Sequence, residues 1–302
     1  MHPDAFSTHH PAVTLTFFVG VIVLCVLVQQ PAVQAVGLMG AVLYYLCLRG
    51  RDAWRLLATM ALALIVLTAI NPLFNTLGDT VLFTYLGTRP FTLEALAYGA
   101  STATMFVSVM LWFACYAQVM STDKFTYLFG RRAPALTLVL TMTLRLVPSY
   151  GRKARQISTA RRCAGLSMTQ GSVRERARDG ASLLSALTSW ALEGAVTTAD
   201  SMRSRGYGAR TKGDSSTPGR YLQCRFRMRD ALLLALMVAC IIVTCIALAS
   251  GAFAVSYVPT IDIPALSPLG IGAFVACTAL VLAPSAIDAK EAIAWRSSLS
   301  SI

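Results

Sequence analysis

Long stretches of this chain carry no charge. Residues 13–28, 32–48, 56–73, 95–120, 231–258 and 263–287 contain no Asp, Glu, Lys or Arg, although the last holds three prolines. A helix needs about 20 apolar residues to cross the hydrocarbon of a bilayer, and each run comes close to or meets that length. Only 13% of the residues are charged, about half the share of an ordinary soluble domain. The runs are continuous rather than alternating, which favours helices over a β-barrel. The pattern predicts an all-α integral membrane protein with about six transmembrane helices plus a basic cytoplasmic helical region. It divides into four spans in 1–132, a cytoplasmic or interfacial region in 133–229, and two spans in 230–302. The first run reads as a span rather than a cleavable leader, because no Lys or Arg precedes it and a second run follows almost at once.

The charge that exists is concentrated. Between Arg145 and Arg229 there are 17 Lys or Arg and five acids (Glu175, Asp179, Glu193, Asp200, Asp214), a difference of +12 that equals the net charge of the whole chain. The positive-inside rule places this segment in the cytoplasm. Arg49, Arg51 and Arg55 put the loop between the second and third runs inside, and Lys124, Arg131 and Arg132 do the same after the fourth. The sparsely charged residues 74–91 read as outside. Lys290 and Arg296 put the end of the sixth run inside, so both termini are expected in the cytoplasm, in a multi-pass protein of the plasma (cytoplasmic) membrane. Residues 133–147 are apolar but short, and contain Arg145. They either lie at the interface or pack against other helices and lead into the basic region, the second being preferred.

Within the basic region, 151–166 has helix-forming composition with Gly165 as its stop, and 181–205 reads as a long helix ending at Gly206-Tyr207-Gly208. Between them, 170–180 reads as a charged, turn-rich interruption, and 210–220 as a loop. Cationic residues at helix ends are favoured by the macrodipole and attracted by anionic lipid. However, Glu193, Asp200 and apolar residues are mixed with the arginines, which suits a protein interface better. Nucleic acid is disfavoured for want of stacking aromatics or a known module.

Little points to catalysis. There is no phosphate-binding G-x-x-x-x-G-K-[ST], no H-E-x-x-H and no G-x-S-x-G. No cofactor or metal is expected. The eight cysteines form no C-x-x-C pair, six lie inside apolar runs, and they read as small hydrophobes. His9-His10 reads as a helix entry at the membrane surface. Glu94 and Asp79, near the outer ends of spans, are a candidate carboxylate pair, with interfacial, solvated acids the preferred reading.

Several stretches together carry a resemblance. They are His10-Pro11, Asn71-Pro72-Leu73-Phe74-Asn75, RPFTLEALAYG from Arg89 to Gly99, Ser121-Thr122-Asp123-Lys124-Phe125, Leu144-Arg145-Leu146-Val147-Pro148, and ADSMRSRGYG from Ala199 to Gly208. In these the chain resembles the transmembrane T component of energy-coupling factor (ECF) transporters, the cobalt-transport Q-type family. The resemblance implies a non-catalytic scaffold in an ATP-driven importer of a vitamin or metal ion. Two cytoplasmic coupling helices would each end in an arginine motif docked on one of two ABC-type ATPase subunits. The membrane helices would hold a small substrate-binding S subunit. By motif, Ser204-Arg205-Gly206 is the second coupling motif. The first lies at Arg162-Cys163-Ala164-Gly165, where Ala164 stands in place of the family's arginine and Arg161 and Arg162 are candidate substitutes. Arg145, Glu193, Asp200 and Arg203 belong to the supporting coupling region. The alternatives are an integral-membrane enzyme, which needs a polar pocket with a nucleophile or metal, and an autonomous secondary transporter, which needs inverted repeats and midplane polar residues.

Overall fold

The computed structural model describes residues 6, 9–75, 80–85, 89–130, 133–165, 172–207, 227–255 and 267–299. It contains two compact units, Met1–Phe125 with Cys224–Ile302, and Thr126–Gln223. The protein is a helical, multi-pass membrane protein.

The first unit holds six apolar helices that match the six charge-free runs: α1 (Pro11–Leu27), α2 (Pro31–Arg49), α3 (Ala53–Phe74), α4 (Leu93–Val119), α8 (Met228–Ala249) and α9 (Pro268–Leu299). Pro31–Phe74, Leu93–Val119, Met228–Ala249 and Pro268–Glu291 are apolar and long enough to cross a membrane. The first of these is two helices, since a 3-10 turn at Gly50–Asp52 separates α2 from α3. At 17 residues α1 is the shortest, about 25 Å at 1.5 Å per residue. The fifth run is cut short of 258. N–H groups of Gly251 and Ala252 bond to the carbonyls of Leu248 and Ala247 and close α8 at Ala249, and 256–266 lie outside the described residues. The sixth helix starts later than 263, at Pro268, and runs on to Leu299.

α4 packs on α1, α2 and α3, while α9 packs on α2 and α8. In lipid, apolar burial between helices gains little, because acyl chains are as apolar as leucine, so close packing decides. Glycines at several helix contacts supply it, two of them with the clearest consequence. A Cβ on Gly40 of α2 would collide with Val281 Cγ1 of α9. A Cβ on Gly99 of α4 would fall 2.7 Å from Asn71 Cβ and 3.0 Å from the Thr68 carbonyl of α3. That carbonyl is the one Pro72, four residues on, cannot bond. Leu62, Ile65 and Val275 are exposed, as suits side chains that face lipid.

An aromatic cluster fills the middle of this unit. Trp112 stacks on Tyr44 at 6.2 Å and meets Phe17 and Phe18 edge-on. Phe6, ahead of α1, is fully buried against Phe17, Phe18 and Tyr44. Phe6 is thus held inside the bundle. The Phe6 N–H donates to Asp288 Oδ1 of α9 at 3.2 Å, and His9 Nδ1 lies 2.7 Å from Asp230 Oδ1 of α8. His10 caps α1, its Nδ1 accepting from the Ala12 N–H at 3.2 Å. Burial pushes the His10 imidazole below the usual histidine range, against an opposing pull from Asp230. The two histidines therefore do form a helix entry, and His9 reaches a carboxylate besides. These contacts put the start of α1, the start of α8 and the last third of α9 at one face of the bundle.

The opposite face holds a feature that the reading of 74–91 as a plain loop omits. β1 (Val81–Tyr85) pairs antiparallel with β2 (Arg89–Thr92), with Phe83 opposite Phe91 and Tyr85 opposite Arg89. The β-branched and aromatic run VLFTY was the available signal. Glu94, in the first turn of α4, is 3% exposed and accepts from both the N–H and the hydroxyl of Thr80. Its reading as a solvated interfacial acid is therefore corrected: the carboxylate is a buried pin between hairpin and helix. Asp79 lies outside the described residues.

Candidate functional site: two arginine-bearing helix ends

After α4 comes the short α5 (Thr122–Gly130), where Lys124 Nζ donates to the Val119 carbonyl at 3.0 Å and caps α4. The second unit is built on two long helices, α6 (Pro134–Cys163) and α7 (Val173–Ser204). The apolar run 133–147 and the basic run 151–166 are one continuous helix, with Pro148 inside it. The apolar run therefore leads directly into the basic region. The turn-rich reading of 170–180 is corrected, because α7 already begins at Val173. Ser172 accepts from the Glu175 N–H, and the Glu175 carboxylate accepts from the Ser172 N–H at 2.7 Å. This reciprocal capping box starts the helix eight residues early, despite the charges that follow.

The two helices form an antiparallel hairpin pinned at two levels. Near the turn, Arg161 donates to Asp179 Oδ1 at 3.0 Å. Farther along, Tyr150 meets Trp190 edge-on at 5.4 Å, and Lys153 Nζ sits 5.6 Å from the Trp190 ring centre. Eleven residues separate Tyr150 from Arg161 and eleven separate Asp179 from Trp190, so one register holds over about three turns. Sequence reasoning missed Asp179, Lys153 and Trp190 as partners. The spacing of Tyr150, Lys153 and Arg161 on one helical face was the signal that could have found them.

Both helices stop in the same way. In α7, Arg205 is the cap residue (φ −83°, ψ 7°) and Gly206 follows at φ 78°. The Gly206 N–H bonds to the Arg203 carbonyl at 2.9 Å, and the Tyr207 N–H to the Met202 carbonyl at 3.0 Å. This is a complete Schellman stop, in which glycine takes the left-handed position that a side chain would strain. In α6, Ala164 is the cap residue (φ −84°, ψ 7°), Gly165 follows at φ 80°, and its N–H bonds to the Arg162 carbonyl at 3.1 Å. The two ends correspond residue for residue: Arg162 with Arg203, Cys163 with Ser204, Ala164 with Arg205, Gly165 with Gly206.

This correspondence sorts the candidate residues. Arg162, Cys163, Ala164 and Gly165 are exposed at one end, and Arg203, Ser204, Arg205 and Gly206 at the other. Arg161 corresponds to Met202 and is half-buried in its ion pair with Asp179, which holds the hairpin together. Arg162 is the counterpart of Arg203, not of Arg205. The first end therefore offers one exposed guanidinium and the second offers two. Arg145, Glu193 and Asp200 are exposed along the helices, with Asp200 one turn before Arg203. The ends point opposite ways, each about fifteen residues (roughly 22 Å) past the Tyr150–Trp190 contact along its own helix.

A family model described as CbiQ: Cobalt transport protein matches residues 4–215. The chain belongs to this family. The family is that of the transmembrane T components of ECF transporters, so this is a membrane component of a transport system. The match takes in α1 to α7 and both helix ends, and stops before α8. No curated protein matches the chain.

A groove of about 390 Å³ lies along α3 and α4, lined by Leu67, Ile70, Phe74 and Phe106 with Asn71 and Asn75 among them. It contains no acid, histidine or cysteine. Among the described residues no group of three or more His, Cys, Asp or Glu side chains is placed to hold a metal ion, and no disulfide joins the described cysteines.

Proposed function

We propose that this protein is the non-catalytic coupling scaffold of an ATP-driven ECF-type importer for a vitamin or metal ion. The ends of α6 and α7 dock on two ABC-type ATPase subunits, and the membrane unit carries a small S subunit that binds the substrate. ATP hydrolysis belongs to the partners. The observation that carries this reading is the pair of matching helix stops aimed in opposite directions. Two equivalent ends on one rigid hairpin suit a partner made of two similar subunits. Exposed guanidinium groups at such ends can make bidentate, charge-assisted bonds to carboxylates on that partner.

The basic hairpin faces the cytoplasm in this reading, because positive loops stay inside. By the same rule Lys290 and Arg296 put the end of α9 inside, and both termini are expected in the cytoplasm.

The test is recovery of partners. Wild-type protein and Arg205→Glu, tagged and expressed in native membranes, are purified in mild detergent and their companions identified by mass spectrometry. Wild type brings down two ABC ATPase chains, or one as a homodimer, with a small hydrophobic protein. Arg205→Glu inserts and melts like wild type but loses most of the ATPase. Equal recovery of ATPase with the variant would remove the coupling role from this helix end.

A further inference from the structure

Arg49 ends α2, and six residues later Arg55 lies in the first turn of α3, with Arg51, Asp52 and Trp54 between them. These seven residues hold three arginines and one acid, a net charge of +2. Gly50, at φ 57°, makes the reversal in the left-handed region that favours glycine. Asp52 and Ala53 are helical in φ and ψ, so Arg51 and Arg55 lie one turn apart on the same side. All three arginines are exposed, and none of them joins an ion pair among the described residues. Trp54, beside them, is 74% exposed. An indole is a poor choice for a surface that meets only water. At a membrane interface it is favoured, with its ring at the level of the headgroups.

The rest of α3 marks where that level falls. One turn beyond Arg55, the Thr59 hydroxyl donates back to the carbonyls of Leu56 at 2.7 Å and Arg55 at 3.2 Å, so its polar group is satisfied within the helix. From Met60 to Ile70 no residue is charged, and Leu62, Ile65 and Val66 are exposed. Only Ala53 and Pro72 of α3 are buried, so most of its side-chain surface faces lipid. Positive-inside charge accounts for the number of arginines, but not for an indole placed among them. We infer that the α2–α3 turn is a binding site for an anionic phospholipid of the cytoplasmic leaflet. Arg51 and Arg55 take its phosphate by charge-assisted bonds, for which the guanidinium fork is suited. Trp54 packs at the level of the glycerol, Arg49 adds attracting charge, and Asp52 offsets one of the three cations. The choice of leaflet rests on the orientation proposed above, and the site itself does not.

The test uses the full chain in mild detergent, where no leaflet exists. It is titrated with phosphatidylglycerol, with phosphatidylcholine of the same acyl chains, or with inorganic phosphate. The melting midpoint and the lipid retained in native mass spectrometry are followed. Phosphatidylglycerol should raise the midpoint and stay on as a one-to-one adduct, while phosphatidylcholine and phosphate should do neither. Arg51→Gln with Arg55→Gln should melt like wild type without lipid and bind phosphatidylglycerol about thirtyfold more weakly, two surface cations being lost. Arg152→Gln with Arg155→Gln removes the same charge from α6 and should leave the adduct intact. Trp54→Ala keeps every charge that directs insertion, so it serves even if the double arginine variant fails to insert, and it should weaken binding severalfold. Equal binding of the two lipids, an equal loss in the α6 control, or unchanged binding by Trp54→Ala would each overturn the site. A midpoint raised as much by phosphate as by phosphatidylglycerol would assign the turn to free phosphate and overturn the lipid. Partner recovery with Arg205→Glu tests the coupling reading separately, and its failure leaves the lipid result standing.

Discussion

Ala164 and Arg205 occupy the same backbone position at the ends of two helices. Their dihedral angles agree to one degree in φ, and each is followed by a glycine in the left-handed region. The side chain at the cap is therefore independent of the stop, which the glycine and main-chain bonds make by themselves.

Ala164→Arg should consequently fold as wild type does, since the site is exposed and already holds an arginine at its twin. The expected gain is in docking, with the ATPase retained at higher salt than in wild type. Salt-dependent recovery of the partner, alongside a melting curve, checks both halves.

Gly206→Ala tests the stop itself. A Cβ at φ 78° strains the backbone by about 1 kcal/mol. The expected outcome is faster amide exchange at Tyr207 and Gly206, weaker ATPase recovery, and an unchanged membrane unit.

Arg161 and Arg162 should behave differently although adjacent. Arg161→Ala removes the ion pair to Asp179 in a half-buried setting and should loosen the hairpin by about 1 kcal/mol. That would be read as increased protease cleavage between α6 and α7. Arg162→Ala should leave cleavage unchanged and reduce partner recovery.

Gly99→Leu should destabilise the membrane unit by about 1–3 kcal/mol, because overpacking there meets the backbone of α3 at Thr68, not a yielding side-chain tip. A lowered melting midpoint in detergent with an intact α6–α7 hairpin is the expected result.

The His10 imidazole gives a pH dependence of known sign. Its Nδ1 accepts a hydrogen bond and burial lowers its pKa below 6.5, so the folded state holds the neutral ring. The unfolded state binds the proton more readily. The contribution to stability is thus full above pH ~6.5 and is lost as pH falls through the lower folded value. His10→Asn, which keeps a capping oxygen, should flatten the acid side of the melting-versus-pH curve.

The membrane helices were legible because charge-free length is a property of consecutive residues. So were Gly165 and Gly206 as stops, since a left-handed cap follows from glycine after a polar turn. The start of α7 lies ahead of the point that charge alone suggests, because the Ser172–Glu175 box fixes it before Arg174, Arg176 and Arg178. The Arg161–Asp179 and His9–Asp230 contacts were out of reach for another reason. Each depends on which helices become neighbours, and no local pattern in the 221 residues between His9 and Asp230 encodes that. The burial of Glu94 is of the same kind, since it depends on the hairpin that holds Thr80 over it.

The Tyr150–Trp190 contact has a mechanical consequence. It divides each helix so that an arm of about 22 Å runs from it to a cap, and a turn of about 10° around that fulcrum would carry each tip by about 4 Å. The arms point opposite ways, so one small rotation sweeps both tips together. Trp190, lying under the Lys153 ammonium at the pivot, is placed where its emission would register the slightest opening of the lever.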